Sequence, residues 1–267
     1  MASETSGALD PVVFARHARP AGGNQDRPTG AFPASVPPGA MTKPTPLEFD
    51  DLDGVSPARQ KRSRIAQERL LEAAEATFAS RGYHNAHVTD IAAAAGYSIG
   101  AFYLRFRDKD AVFRALRRRF ALRGRENIER FFALPRWADE GPSQLVGAYV
   151  KSTLSVMTHN AGFFRALYQR SLDGEAAEDW PELRMASKLA AGRLAAFLRA
   201  HAPEVDRPDL EPFCTVCLSA VEGAIIHRLL NVSISSEIDN AFFLKSLTLM
   251  ATATLGLPPA RDRHPPA

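Results

Sequence analysis

From residue 57 onward, apolar side chains recur at three- and four-residue spacings, and no stretch of useful length alternates apolar with polar. That periodicity predicts helices throughout. The first opens at Ser56-Pro57, with Ser56 as N-cap and Pro57 in the first helical position. Leu71, Ala74 and Phe78 continue a face that Ile65 begins, and Gly82 stops the helix by accepting a left-handed conformation. A short helix spans Val88–Ala95, with Val88, Ile91, Ala92 and Ala95 inward, and a shorter one opens at Ser98. Longer ones follow over 109–133, 142–160, 161–172, 178–201 (after Asp173-Gly174), 209–231 and 236–256, the last ending at Gly256-Leu257-Pro258. The expected fold is all-α: an N-terminal three-helix unit containing a helix-turn-helix, then a helical bundle, about nine helices in total.

Upstream of residue 57 the pattern disappears. Eight prolines lie within residues 1–56, and proline fixes φ and removes a backbone donor. The expected organisation is a disordered arm over 1–56, a DNA-binding unit over 57–108, a sensing and dimerisation unit over 109–258, and a disordered tail over 259–267. No apolar run approaches the ~20 residues of a membrane-spanning helix, and the N-terminus lacks the basic start and apolar core of a secretory signal. With only Cys214 and Cys217 there is no disulfide framework. A soluble, cytoplasmic protein is expected.

Charge changes the picture more than composition does. The net charge is only +3, but residues 57–125 carry 15 Lys/Arg against 6 Asp/Glu. Residues 1–56 carry 4 against 7, and residues 126–267 carry 14 against 17. A basic module between acidic flanks favours a polyanion, because neutralising phosphates releases condensed counterions.

Inside that module, GYHNAHVTDIAAAAGYSIGAFYLRFRDK (82–109) holds the candidate chemistry. Gly96 supplies a turn where a Cβ would be strained. Ser98 caps the following helix and leaves its dipole end outward, where it attracts phosphate. Ile99, Gly100 and Ala101 take the first-turn positions that reach base edges in a major groove. They can touch thymine methyls but cannot read donors and acceptors. Phe102 and Phe106 should pack inward. Tyr103 and Lys109 are candidate phosphate contacts.

Residues 64–113 resemble the DNA-binding region of the TetR family of bacterial transcriptional regulators, through LLEAAEATFASRGY (70–83) and VTDIAAAAGYSIGAFYLRFRDKDAVF (88–113). The G-x-S-x-G-A-F-Y-x-x-F-x-x-K run is its specific part. The resemblance implies an α-helical homodimer with a small DNA-binding domain and a larger domain for dimerisation and ligand sensing. It assigns phosphate contacts to Thr89, Tyr103 and Lys109, and base-facing positions to Ile99, Gly100 and Ala101. His87 departs from the Thr or Ser that usually caps the second helix, and the arm before residue 57 is unusually long.

Other groupings are blander. Cys214 and Cys217 share a helix face without a second ligand pair, so they read as small hydrophobes buried in a subunit interface rather than a metal or redox site. Glu222-Gly223 suggests a close helix approach with a carboxylate that pairs or lines a pocket. Trp137, Met157, Phe164, Tyr168 and Trp180 are the candidates for an apolar or aromatic small ligand between bundle helices. No catalytic constellation, cofactor motif or metal-ligand spacing is present, so the protein is not expected to be an enzyme. The reading is a sequence-specific regulator, most simply a ligand-relieved repressor, dimerising through 209–231 and 236–256 on a palindromic DNA operator. A DNA binder without ligand control, or an enzyme with an accessory helix-turn-helix, are the alternatives.

Overall fold

The computed structural model describes residues 49, 51–172, 180–231 and 237–259. The first 48 residues of the expected arm, the Asp173-Gly174 break and the tail from residue 260 lie outside them. Nine α-helices fill the described residues: α1 (Lys61–Asn85), α2 (Val88–Ala94), α3 (Ile99–Tyr103), α4 (Lys109–Phe132), α5 (Pro142–His159), α6 (Ala161–Leu172), α7 (Trp180–His201), α8 (Leu210–Leu230) and α9 (Asn240–Thr254). Short 3-10 turns at Pro135–Ala138 and Pro203–Val205 follow α4 and α7. The all-α expectation holds.

Three helix ends follow from local chemistry. Glycines at φ +73° (Gly96) and +71° (Gly256) close α2 and α9 in the same way. In each case the glycine amide donates three residues back, and the following amide (Tyr97 to Ala92, Leu257 to Thr252) donates five residues back. This Schellman arrangement satisfies carbonyls that a helix end would otherwise leave orphaned. Asp239 begins α9 by accepting the Phe242 amide at 2.8 Å.

The helix-turn-helix head is built on α1. Leu70, Leu71, Ala74 and Phe78 are fully buried against α2 and α4. Ile65, expected to begin this face, is instead 46% exposed. Gly82 does break the helical path (φ +73°, ψ 170°), although a final turn carries the element on to Asn85.

Two expectations about the beginning of the domain are corrected. Ser56-Pro57 does not start a helix: α1 begins at Lys61, and the Ser56 amide donates to the Arg105 carbonyl at 2.8 Å. Nor does the arm extend unstructured to residue 56. Phe49, Val55 and Ala58 are buried, and Val55 forms an isolated antiparallel bridge with Phe106. Period-based reading cannot see such a strap, because three apolar anchors in ten residues carry no helical or strand repeat.

Head and bundle are joined where α1 meets α6. The approach is so close that a Cβ on Gly162 would fall 2.2 Å from Ala79 Cβ and 2.4 Å from its Cα. Gly162 thus does the work that the sequence suggested for Gly223, which has open space around it. Behind this contact, α7 packs on α4 and α8, and α5 packs on α9. Phe113, Phe120, Phe163 and Phe164 form a chain of stacked and edge-on rings between α4 and α6.

Cys214 and Cys217 are already buried within the single chain, Cys217 against the Ala251 carbonyl of α9 at 3.8 Å. Burial pushes the Cys214 thiol up to about 12 and Cys217 to about 11. α8 itself also corrects an expectation. By length and composition alone it is long and apolar enough to cross a membrane, as core helices of soluble proteins also can be. After Glu211 its only Asp, Glu, Lys or Arg residues are Glu222 and Arg228.

Candidate nucleic-acid interface

Phe102 and Phe106 anchor α3, each wholly buried, with ring centroids 5.7 Å apart. With those two rings fixed in the core, the opposite side of the five-residue helix must face out. Ile99 (46%), Tyr103 (55%) and Leu104 (66%) are exposed large side chains, with Gly100 and Ser98 beside them. Ser98 Oγ accepts the Ala101 amide at 3.2 Å, the cap expected from sequence. Leu104, which no pattern singled out, is the most exposed hydrophobic of this surface. Its signal was available: it lies two positions past the inward Phe102, on the far side of a 3.6-residue turn.

Gly96 and Gly100 are glycines for different reasons. Gly96 sits at φ +73°, which a side chain would strain. Gly100 has no positive φ, and a Cβ there would meet only Ser98 Oγ at 3.8 Å. The fold therefore tolerates a side chain at position 100, and the bare backbone leaves room outside the protein.

Thr89 is exposed on the first turn of α2. Its N-cap, His87, makes no side-chain capping bond. Nearby, Asp90 is held by Arg81 at 2.6 Å. Lys109 has a job inside the free protein. Its Nζ donates to the Tyr83 carbonyl at 2.8 Å and the His84 carbonyl at 3.4 Å, and lies 4.4 Å from the Tyr83 ring centroid. A cation there satisfies the carbonyl end of α1 and fixes the start of α4 against it.

The same node continues inward. Tyr83 Oη donates to Asp110 Oδ1, Arg170 from α6 donates to that same oxygen at 2.9 Å, and Gln169 Oε1 accepts the Tyr83 amide at 2.8 Å. Arg170 is 7% exposed and also covers the Tyr83 and Phe113 rings. Bundle helix α6 is thus tied by hydrogen bonds to both the end of α1 and the start of α4.

The positive charge of the module is less available than a count suggests. Arg117 and Arg119 of α4 are buried. Arg119 bridges Glu68 (3.2 Å) and Glu75 (3.0 Å) on α1. These contacts staple α4 to α1, and the intrahelical pattern gave no warning, because the partners lie over forty residues away.

Three of the five ligand candidates, Trp137, Met157 and Phe164, are buried in the core. The Trp137 indole N–H donates to the Phe131 carbonyl, and Tyr168 is 38% exposed. The side chain of Trp180 lies outside the described residues. A cleft of about 460 Å³ opens elsewhere, lined by Arg125 of α4, by Met185, Lys188, Leu189, Gly192 and Arg193 of α7, and by Glu211 of α8. Glu222 accepts from Ser187 at 3.0 and 3.2 Å, and burial holds its carboxyl above the ordinary carboxylate range. Among the described residues no cluster of His, Cys, Asp and Glu is arranged to hold a metal.

Geometry defines this as an all-α protein with an N-terminal helix-turn-helix head. Residues 70–116 match the family described as bacterial regulatory proteins, tetR family. An HTH-type transcriptional regulator of Bacillus subtilis, YdgC, is 41% identical over 64 residues, which are 24% of this chain and 33% of that one. The match thus spans about a third of the curated relative's length. The fold is similar to a TetR-like regulator from Rhodococcus (TM-score 0.54, 20% identity, covering 72% of this chain and 96% of that one). It is also similar to SmeT of Stenotrophomonas maltophilia, described as the repressor of a multidrug efflux pump (TM-score 0.51, 23% identity, 71% and 88% covered). The match to the TetR family thus lies in the helix-turn-helix region, residues 70–116.

Proposed function

We propose that the protein is a sequence-specific DNA-binding transcriptional regulator, acting as a homodimer on a palindromic operator and relieved by a small ligand. The observation that carries the DNA reading is the first turn of α3. It is capped, held by two buried phenylalanines, and faces outward with side chains and a glycine that the fold itself does not require. A helix presented this way enters a major groove with its N-terminal residues at the base edges. Ile99, Gly100 and Ala101 then meet bases, while Thr89, Ser98, Tyr103 and Lys109 meet phosphates.

Dimerisation is supported by apolar surface on the last two helices. Val216 on α8 is 66% exposed, and Phe242, Leu249 and Met250 on α9 are 61, 58 and 54% exposed. A second copy laid over these faces would cover them. Relief by ligand is supported by the cleft, because α4, α7 and α8 all line it. A molecule bound there with unequal affinity for two α4 positions changes the spacing of the two heads, and DNA affinity with it.

The test is titration of the purified chain onto its own upstream DNA and onto random duplex at moderate salt. Preference for the upstream DNA supports the reading, and equal affinity for both overturns it. Selection of sites from random DNA should return a palindrome with half-sites about one helical turn apart, ~34–36 Å.

A further inference from the structure

The acidic strap before α1 and the arginines it holds are left unexplained by the recognition helix. Residues 51–58 run beside the turn between α3 and α4. The strap is fixed by its backbone and its apolar residues. The Ser56 amide donates to Arg105, and the Arg107 amide donates back to Gly54, each at 2.8 Å. Phe49, Val55 and Ala58 are buried. Gly54 is at φ +77°, and a Cβ there would lie 3.0 Å from Ala111 Cβ, so the strap backbone lies directly on α4.

Its carboxylates are placed differently. Asp53 takes a two-pronged bond from Arg107 (3.0 and 2.7 Å), with Arg114 Nη2 donating to its carbonyl at 3.1 Å. Asp51 takes Arg118 at 2.6 Å. Arg114 and Arg118 are one turn apart on α4, and Arg107 precedes them in the turn that leaves α3. Asp108, the N-cap of α4, also bonds Arg107 at 3.0 Å. The strap carboxylates are exposed, Asp53 by 74% and Asp51 by 67%.

Exposed ion pairs hold only weakly, because water and salt screen them. These pairs are therefore weak enough to exchange, while the strap that carries the acids is anchored by other means. A planar guanidinium that accommodates a carboxylate two-pronged accommodates a phosphate in the same way. We propose that Arg107, Arg114 and Arg118 form a second phosphate-binding row alongside the recognition helix, and that Asp51 and Asp53 occupy it as tethered phosphate mimics until DNA displaces them. The strap thereby lowers affinity for duplex DNA and blunts its salt dependence. This rests on the DNA-binding reading above.

The experiment compares the full chain with D51N/D53N, which keeps the strap anchors and removes its charge. Binding to random duplex and to the selected site is measured from 50 to 300 mM salt. The double variant should bind random duplex about tenfold more tightly near 0.1 M salt. The slope of log affinity against log salt should steepen by about 2–3, as for two or three added phosphate contacts. Adding Arg107→Gln and Arg118→Gln to D51N/D53N should abolish the gain. Random-duplex affinity and salt slope unchanged or reduced in D51N/D53N, with a melting temperature near that of the natural chain, overturn the proposal. Should the double variant melt early, the single D53N is read by the same criterion. A natural chain with no salt-dependent affinity for any duplex overturns the DNA-binding reading itself, and this inference with it.

Discussion

The first turn of α3 and the end of α1 lie fewer than twenty residues apart, yet they use their side chains in opposite ways. At the end of α1, Tyr83, Lys109, Asp110, Gln169 and Arg170 spend their polar groups on one another and on helix-end carbonyls. At the first turn of α3, Ile99, Gly100 and Tyr103 face outward, and the fold needs none of them. The difference separates two tasks. A joint whose groups are bonded to one another has few arrangements. A surface that binds a partner must hold its groups in reserve.

That contrast can be broken most severely at Gly162. Replacing it with Ala puts a Cβ into the α1 backbone, and unfolding free energy should fall by about 3 kcal/mol, the upper end for overpacking. Thermal or urea denaturation checks this, and an unchanged midpoint would show that the α1–α6 contact yields freely. Arg170→Met should come next. It removes a charge-assisted bond to Asp110, for a loss of about 2 kcal/mol by the same measurement. It should also weaken any ligand effect on DNA binding, since α6 then holds the start of α4 less firmly.

Ser98→Ala marks the boundary between the two regions. Loss of the cap should cost about 1 kcal/mol, visible as faster amide exchange confined to α3. Tyr103→Ala should leave stability within about 0.5 kcal/mol, as expected for an exposed site, while DNA of every sequence binds about tenfold more weakly. Ile99→Val should shift the preferred sequence instead. A large stability loss in Tyr103→Ala would place that ring in the fold and undo the comparison.

The smallest effect concerns the buried thiols. Folding favours their protonated forms, because burial raises both values above the ordinary 9.0. Their contribution is present in full below that value. Stability should therefore decline as pH rises from about 9 towards 11–12. Alkylation near pH 8 should be slow in the folded chain and fast in denaturant. Fast labelling of the folded chain would return the pair to consideration as a sensor.

Legibility from sequence followed the range of the interaction. Helices α2 and α4 to α9 appeared close to their observed limits, because their signals (apolar spacing, proline starts, glycine ends) are local. The candidate DNA surface was legible for the same reason, from Ser98, Gly96 and the inward Phe102 and Phe106. What escaped detection was long-range. Asp53 with Arg107, Glu68 and Glu75 with Arg119, and Ala79 against Gly162 are pairings across forty or more residues. No periodicity announces them. Charge counting misled in a related way, since its total includes Arg117 and Arg119, both of which are buried.

The apolar outer faces of α8 and α9 carry a consequence for dosage. A regulator whose folded state is completed by a second copy gains stability with concentration, by mass action. On the proposed dimer, a cell holding few copies would have mostly incomplete, fragile protomers. Operator occupancy would then rise with roughly the square of chain concentration until dimers predominate. Such a protein measures its own abundance before it reads any sequence, and a promoter under its control would switch more abruptly than a single binding site allows.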